Sequence, residues 1–362
     1  MDRATITGWG HCVPPSVITN DDLASVMDTS DEWITSRSGI KERRISHVEN
    51  SDMAVVAGAR ALAAAGLEPD DIDFLIVATC TGDRQIPSTA CLVQAKLGTA
   101  KAAAVDINAG CTGFVYGLNL ANGVIAAGTA RRVLLIGVEK ISAYLDFDER
   151  STAVLFGDGA GAVVLEPAVG DEGIRSMTVG SDGTLADALT ATGAGTEYIG
   201  RPEPLRIVMD GREIFRNAVV QMGEAALRAV KDADLDLADV DLLIPHQANI
   251  RIIDSIVRRL DLDESKVFTN LHRYGNTSAA SIPIALSEAL DEGRITPGSV
   301  VLLVAFGAGL TWGATAIRWG DRVQPLRESD AALPPTELTG LELLIAEQRK
   351  KKAEDRARAS VL

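Results

Sequence analysis

The chain contains itself twice, and no other feature of the sequence constrains its fold as strongly. In the first half a helical pattern, MAVVAGARALAAAGL (53–67), runs through an acidic, Leu-bearing linker into a buried-strand pattern, DIDFLIVATC (71–80). In the second half EIFRNAVVQMGEAALRAV (213–230) leads in the same way to DVDLLIPHQA (239–248). The correspondence continues, because AVDINAGCTG (104–113), a helix and VLLIGVE (133–139) parallel VFTNLHRYGNTS (267–278), a helix and VVLLVAFG (300–307). Each half then carries a Phe-Gly turn, in FGDGAGAVVL (156–165) and FGAGLTWGATAI (306–317). Helices alternating with buried strands imply an α/β fold, and duplication implies two similar layers about a pseudo-twofold axis.

At 362 residues the chain exceeds a single core, so two units or one large fused unit is expected, and 46% hydrophobic residues are ample to fill it. A formal net charge of −15 argues against bulk nucleic-acid binding and against anchoring to an anionic membrane, while leaving room for a local basic patch. The opening MDRATITGWG has no long apolar run of the signal-peptide kind, and Gly and charge interrupt the Ala/Val-rich stretches before they could span a bilayer. A cytoplasmic protein is expected. Four cysteines, Cys12, Cys80, Cys91 and Cys111, with no C-x-x-C pair, give neither a disulfide framework nor a zinc signature, so no metal is expected.

The internal alignment sets Cys111 opposite Asn276, each after a glycine and each before a predicted helix. Residues at matching helix starts of a pseudo-symmetric pair can meet at the axis. There the amide dipoles of the helix N-terminus are expected to favour a thiolate and lower the cysteine pKa. A lone Cys beside Gly reads equally well as a small buried hydrophobe; the duplicated setting favours a nucleophile. His246, in IPHQAN, follows a strongly apolar strand, where open α/β sheets place ligand-binding groups. The other histidines, His11, His47 and His272, have no comparable frame.

Two enzyme classes use Cys, His and Asn in that order. Papain-like proteases are one, but here the cysteine is not in C-G-S-C-W and Asn276 is followed by Thr rather than Ser-Trp. The other is the thiolase-fold condensing enzymes. The chain resembles a β-ketoacyl-acyl-carrier-protein synthase III in DEWITSRSGIKERR (31–44), NAGCTGFVYGL (108–118), FGDGAGA (156–162), IPHQANIRI (244–252), RYGNTSAASIPIAL (273–286) and FGAGLTWGA (306–314). These motifs occur in family order from near residue 1 to about residue 320. Other condensing enzymes pair the cysteine with His-His or His-Cys, and chalcone-synthase-like enzymes carry Gly-Phe-Gly-Pro-Gly where this chain has Gly-Ala-Gly-Leu-Thr-Trp-Gly.

The resemblance implies a thiolase-like fold, two pseudo-symmetric halves in an αβαβα layering, with 1–172 carrying the nucleophile, 173–320 carrying His and Asn, and 321–362 an extension. It implies that Cys111 takes an acyl group from acyl-CoA, a thioester exchange of little energetic cost. Malonyl-acyl-carrier protein then loses CO₂, and neutral donors on His246 and Asn276 stabilise the enolate. The tetrahedral oxyanion is assigned to the N–H groups of Cys111 and Gly309, with glycine at 307 and 309 so that no Cβ obstructs the substrate. Trp33, Arg37, Arg150, Asn249 and Arg212 are assigned to CoA, although the family often has Asn at position 212. No cofactor is implied, CoA and carrier-protein thioesters being substrates. A homodimer is implied, with no nucleic-acid or membrane partner. Two rivals stay open: an acyltransferase of this fold that moves the acyl group to a hydroxyl or amine without decarboxylation, and a catalytically silent partner subunit.

Three local readings complete the picture. In NIRIIDSIVRRL (249–260), Ile250, Ile253, Ile256, Val257 and Leu260 mark a buried stripe, leaving Arg251 and Arg258 on an exposed face suited to an acidic carrier protein. Before Pro87, where relatives place an aromatic closing the acyl pocket, stands Ile86, whose smaller side chain leaves room for a primer longer than acetyl. In the extension, Thr339 and Glu342 fit a capping box, and Leu341, Leu344 and Ile345 a short apolar stripe, predicting a docking helix with a frayed tail.

Overall fold

A computed structural model describes residues 3–201 and 203–360. The first half runs β1 (Ala4–Cys12), the short ribbon β2 (Val17–Thr19) and β3 (Glu42–Arg44) with α1 (Asn20–Ala24) and α2 (Asp31–Ser38) between them, then α3 (Asn50–Ala65), β4 (Phe74–Ala78), α4 (Thr89–Leu97), β5 (Ala103–Ile107), α5 (Gly113–Ala126), β6 (Val133–Glu139), α6 (Arg150–Ala153) and β7 (Gly159–Pro167). The second runs β8 (Gly173–Ser181), the ribbon β9 (Leu189–Thr192) and β10 (Arg206–Met209), α7 (Gly211–Asp232), β11 (Leu242–Pro245), α8 (Ile250–Leu260), α9 (Leu271–Tyr274), α10 (Ser281–Asp291), β12 (Val300–Gly307) and β13 (Thr311–Arg318). The extension ends in α11 (Gly340–Ser360).

Two sheets result, in the orders β1-β7-β6-β4-β5 and β8-β13-β12-β11. Four strands of each correspond, β1, β7, β6 and β4 with β8, β13, β12 and β11; β4 with β6 and β11 with β12 are parallel, the other pairs among them are antiparallel, and β5 adds a further parallel strand to the first sheet. Both faces of both sheets are covered, which is why VLLIGVE and VVLLVAFG are continuous rather than alternating apolar runs. Leu134 and Ile136 turn toward α3 in one core, whereas Val133 and Leu135 turn toward α5 and α10 in another. Leu302 and Val304 face α7 and α8, and their neighbours Leu303 and Ala305 join the same central core as Val133. Five layers follow, α3 and α4, sheet, α5 and α10, sheet, α7 and α8, so the chain has the expected thiolase-like αβαβα fold. The middle core draws on both halves, from Ala4 to Trp319.

The duplication is incomplete at one edge. The counterpart of β5 forms only an isolated bridge, Leu243 with Val267, and one further bond from Phe268 N–H to the Leu243 carbonyl. The Gln247 side chain takes over instead, donating to the Phe268 carbonyl at 3.3 Å and accepting from Asn270 N–H at 3.0 Å. A side chain thus satisfies backbone groups that a fifth strand would otherwise pair.

Two buried stripes need correcting. In α8 the buried residues include Ile252, while Ile250 is half-buried at the helix start, against Gly39 at the end of α2. In α11 the capping box of Thr339 and Glu342 is present, but Leu343 and Leu344 are the buried pair, with Leu341 and Ile345 half-buried. The end of the expected frayed tail, Val361 and Leu362, lies outside the described residues. Among those residues no helix is long and apolar enough to cross a membrane.

Candidate active site

Cys111 sits in a single 3₁₀ turn, Gly110–Thr112, between β5 and α5, and Asn276 sits in the equivalent place between α9 and α10. The glycine before each adopts positive φ, 52° at Gly110 and 65° at Gly275, which lets the chain reverse sharply. The nucleophile turn is fixed from the second half: the Thr311 hydroxyl lies 2.9 Å from the Ala109 carbonyl, and Thr112 donates to the Thr311 carbonyl at 3.2 Å. A Cβ at Gly307 would lie 2.6 Å from Cys111 N. Glycine there makes room for the nucleophile's own backbone, rather than for substrate as expected from the sequence.

The Cys111 thiol is buried, and burial pushes its pKa up to about 12, reinforced by the nearby Glu139 carboxyl and opposed by Ser278. The expected lowering is therefore overturned, because desolvation of the thiolate outweighs the dipole at the start of α5. Among the described residues the N–H groups of Ala308 and Gly309 donate to no protein acceptor, and a Cβ at Gly110 would lie 3.0 Å from Ala308 N.

His246 follows β11, its backbone N–H donating to the Val304 carbonyl at 2.7 Å. Its Nδ1 lies 2.7 Å from Ser281 Oγ, which also receives a long bond, 3.4 Å, from Gln247 N–H. Ser281 Oγ can donate to Nδ1, the arrangement that puts the imidazole proton on Nε2. Burial drives the His246 pKa down to about 3, so the ring is neutral and a donor. Asn276 is held by two backbone bonds, its N–H to the Leu155 carbonyl and its carbonyl from Gly157 N–H. Its Oδ1 accepts from Ser278 N–H at 2.8 Å, which leaves the NH₂ end free. Ser281, Ser278 and Glu139 carry no mark in the sequence as site residues.

One narrow cavity of about 150 Å³ touches Cys111, His246 and Asn276 together, with apolar walls from α7 and α8. A second, of about 560 Å³, shares Cys111, Phe156 and Leu189 with the first and is lined by Cys80, Ile141, Tyr144 and Ile207, with Ala308 and Gly309 at its edge. Asn249 lines the narrow cavity and caps α8 through its side chain, 2.9 Å from Arg251 N. Trp33 has two cations over its ring, the Arg37 and Arg150 guanidiniums standing 4.7 and 4.9 Å from its centre. Arg212 is exposed at the start of α7 and lines neither cavity. Ile86 is 88% exposed and also lines neither. Arg251 and Arg258 are exposed on α8, Arg251 donating to the Ser36 carbonyl at 3.0 Å and Arg258 to Ser255 Oγ at 3.2 Å.

Comparison with known proteins agrees with this geometry. Residues 105–183 match the family model of 3-oxoacyl-[acyl-carrier-protein] synthase III, and residues 230–319 match the model of its C-terminal part. The chain is 49% identical over 350 residues to β-ketoacyl-[acyl-carrier-protein] synthase III 2 of Vibrio vulnificus, covering 94% of this chain and 95% of that one. To the β-ketoacyl-[acyl-carrier-protein] synthase III of Geobacillus kaustophilus it is 50% identical over 319 residues, 88% of this chain and 99% of the relative. The crystal structure of the Aquifex aeolicus 3-oxoacyl-[acyl-carrier-protein] synthase III superposes with a TM-score of 0.83 at 45% identity, covering 87% of this chain and all of that one. A priming β-ketosynthase of the R1128 polyketide pathway gives 0.83 at 34% identity, over 88% of this chain and 97% of that one. With the nucleophile turn, the histidine and the asparagine brought to one cavity and relatives matched along nearly their whole length, the chain belongs to the 3-oxoacyl-[acyl-carrier-protein] synthase III family.

Proposed function

We propose that this enzyme moves an acyl group from acyl-CoA to Cys111 and then joins it, with loss of CO₂, to malonyl-acyl-carrier protein, giving a β-ketoacyl-carrier protein. The observation that carries the reading is the single narrow cavity on which Cys111, His246 and Asn276 meet. In loading, the Cys111 sulfur gives up its proton as it attacks the thioester, and the departing CoA sulfur takes one up, so the exchange is proton-neutral. In condensation, C–C cleavage of the malonyl group releases CO₂ and leaves an enolate. The Nε2–H of His246 and the NH₂ of Asn276 donate to its oxygen. The enolate carbon attacks acyl-Cys111, the oxyanion forming beside the N–H groups of Cys111 and the 308–309 turn, and collapse expels the Cys111 thiolate, which takes up a proton from water to regenerate the thiol. No resident cofactor enters any step.

The finer assignments are part of the same proposal. Trp33, Arg37 and Arg150 hold the nucleotide end of CoA at the mouth, Asn249 lies along the passage, and Arg212 stands at its rim. The exposed face of α8, with Arg251 and Arg258 unpaired by any carboxylate among the described residues, receives an acidic carrier protein. The halves 1–172 and 173–320 divide nucleophile from donors, and the described part of the 321–362 extension straps their surface. The wider cavity takes the primer, and Ile86 reaches the equivalent cavity of a second copy.

Intact-mass analysis across a panel of acyl-CoAs, with and without malonyl-carrier protein, tests the reading. Cys111→Ala should gain no acyl mass, whereas Asn276→Ala should load and fail to condense. Acyl uptake by Cys111→Ala at another residue sinks the nucleophile assignment, and a loaded wild type that acylates an alcohol or amine instead of forming β-ketoacyl product favours the plain acyltransferase.

A further inference from the structure

Glu139 ends β6 wholly buried. Oxygen-bound protons converge on its carboxyl: Thr81 Oγ1 at 2.5 Å, Thr79 Oγ1 at 3.2 Å and Ser278 Oγ at 3.1 Å, together with Cys80 N–H at 3.1 Å and Cys80 Sγ at 3.3 Å. The two threonine hydroxyls already accept from backbone N–H groups, those of Lys140 and Thr81, so their own protons have Glu139 as the destination. Glu139 is therefore an acceptor of hydrogen bonds at every contact. Burial raises its pKa above the ordinary carboxylate value, and the donors oppose that rise.

Ser278 is the only one of these partners that belongs to the second half of the chain. It adopts φ 49°, left-handed backbone that an L-residue avoids unless its surroundings hold it there. Gly137 in β6 permits the approach, since a Cβ there would lie 2.3 Å from the Ala279 carbonyl oxygen. In that conformation the Ser278 N–H points at Asn276 Oδ1, 2.8 Å away. A backbone N–H can face only the oxygen of a carboxamide, so this one bond decides which end of Asn276 is turned into the cavity.

We propose that Glu139 and Ser278 form a positioning pair: the carboxyl holds the Ser278 hydroxyl, the hydroxyl holds the left-handed backbone, and that backbone fixes the Asn276 carboxamide with its NH₂ toward the enolate. The pair acts most strongly on carbanion formation, and its contacts with the Cys111 thiol add a smaller effect on loading. This rests on reading Asn276 as an enolate donor.

The test separates the two half-reactions, measuring acyl loading by mass with hexanoyl-CoA and CO₂ release from malonyl-carrier protein on the same preparations. Glu139→Gln and Ser278→Ala should each slow CO₂ release by roughly 100-fold, the scale of a misplaced catalytic group, and slow it far more than they change loading. Ser278→Gly, which tolerates positive φ without a tether, should recover most of the Ser278→Ala loss. In the Ser278→Gly background Glu139→Gln should add little, because the link it acts through is gone. A carboxyl that merely supports folding gives no such recovery and no such masking. Equal losses in loading and CO₂ release, or an undiminished Glu139→Gln effect in the glycine background, overturn the pair. If Glu139→Gln fails to fold, the Ala and Gly variants of Ser278 decide alone, equal defects in the two refuting the proposal. Asn276→Ala that still condenses refutes the underlying reading of Asn276 and is read separately from these arms.

Discussion

His246 is a histidine prevented from taking up a proton. Its folded pKa of about 3 lies below the ordinary 6.5, so the stability that comes from burying the neutral ring is full above 6.5 and is lost as pH falls from there toward 3. Asp158, buried and raised to about 6, has the opposite sign: its contribution is full at low pH and is lost as pH rises through 6. The two overlap, so the His246 part is read as a difference. Between pH 7 and pH 5 the wild type should lose about 2 kcal/mol more of its unfolding free energy than His246→Gln does, measured by urea denaturation at each pH. Equal losses in the two proteins would mean that the ring can protonate while folded. Cys111 and Asn276 are legible in the sequence because duplication frames them, and His246 because it follows an apolar strand. Ser281, Ser278 and Glu139 are not, since a serine or glutamate beside an apolar run gains its meaning only from donors that folding brings from other segments. The Cys111 pKa was misread for a related reason: a helix start is visible in one dimension and burial is not.

At the scale of elements, helices and strands are readable where the same pattern occurs twice, as with α3 and β4 against α7 and β11. The copies diverge where a side chain substitutes for backbone pairing, as Gln247 does at the missing fifth strand of the second sheet. α8 is readable as amphipathic, but its start is not, because contact with Gly39 shields Ile250 from one side only. On its exposed face, Arg258→Glu should raise KM for malonyl-carrier protein by about fivefold, the worth of roughly 1 kcal/mol of exposed pairing, and the effect should fade with added salt. An unchanged carrier-protein KM removes Arg258 from the docking face. α11 lies on the outside of the loop before α6, where Lys351 donates to the Leu145 carbonyl at 2.6 Å and Gln348 to Asp148 at 3.4 Å. That loop lines the wider cavity with Ile141 and Tyr144 and leads into Arg150. Ending the chain before Thr339 should raise KM for acyl-CoA about 2- to 5-fold, equivalent to one exposed cation–π contact, with kcat of condensation retained. The Geobacillus relative, matched over 99% of its length by only 88% of this chain, shows that the family fold does not need so long a chain. A truncated enzyme with unaltered acyl-CoA kinetics would leave α11 a surface cover only.

For the whole molecule, the two sheets differ in one respect that bears on the expected homodimer. β5 is an open edge with Val105 38% exposed, whereas the corresponding edge of the second sheet has no strand to offer. An unpaired edge present once per chain can be satisfied by one twofold-related copy, after which nothing is left to extend. Val105→Lys should therefore convert a dimer into a monomer in light scattering, and a wild type that is already monomeric rules out the edge as an interface. The passage lined by α7 and α8 carries a different consequence, a temporal one. A single sulfur, Cys111, carries the acyl group, so the first visitor has to be gone before the second reacts. Turnover is then an alternation of two enzyme forms, sulfhydryl and acylated, each blind to the other's substrate. Initial rates should give parallel double-reciprocal lines, and free CoA should compete with the malonyl donor, not with the primer that released it.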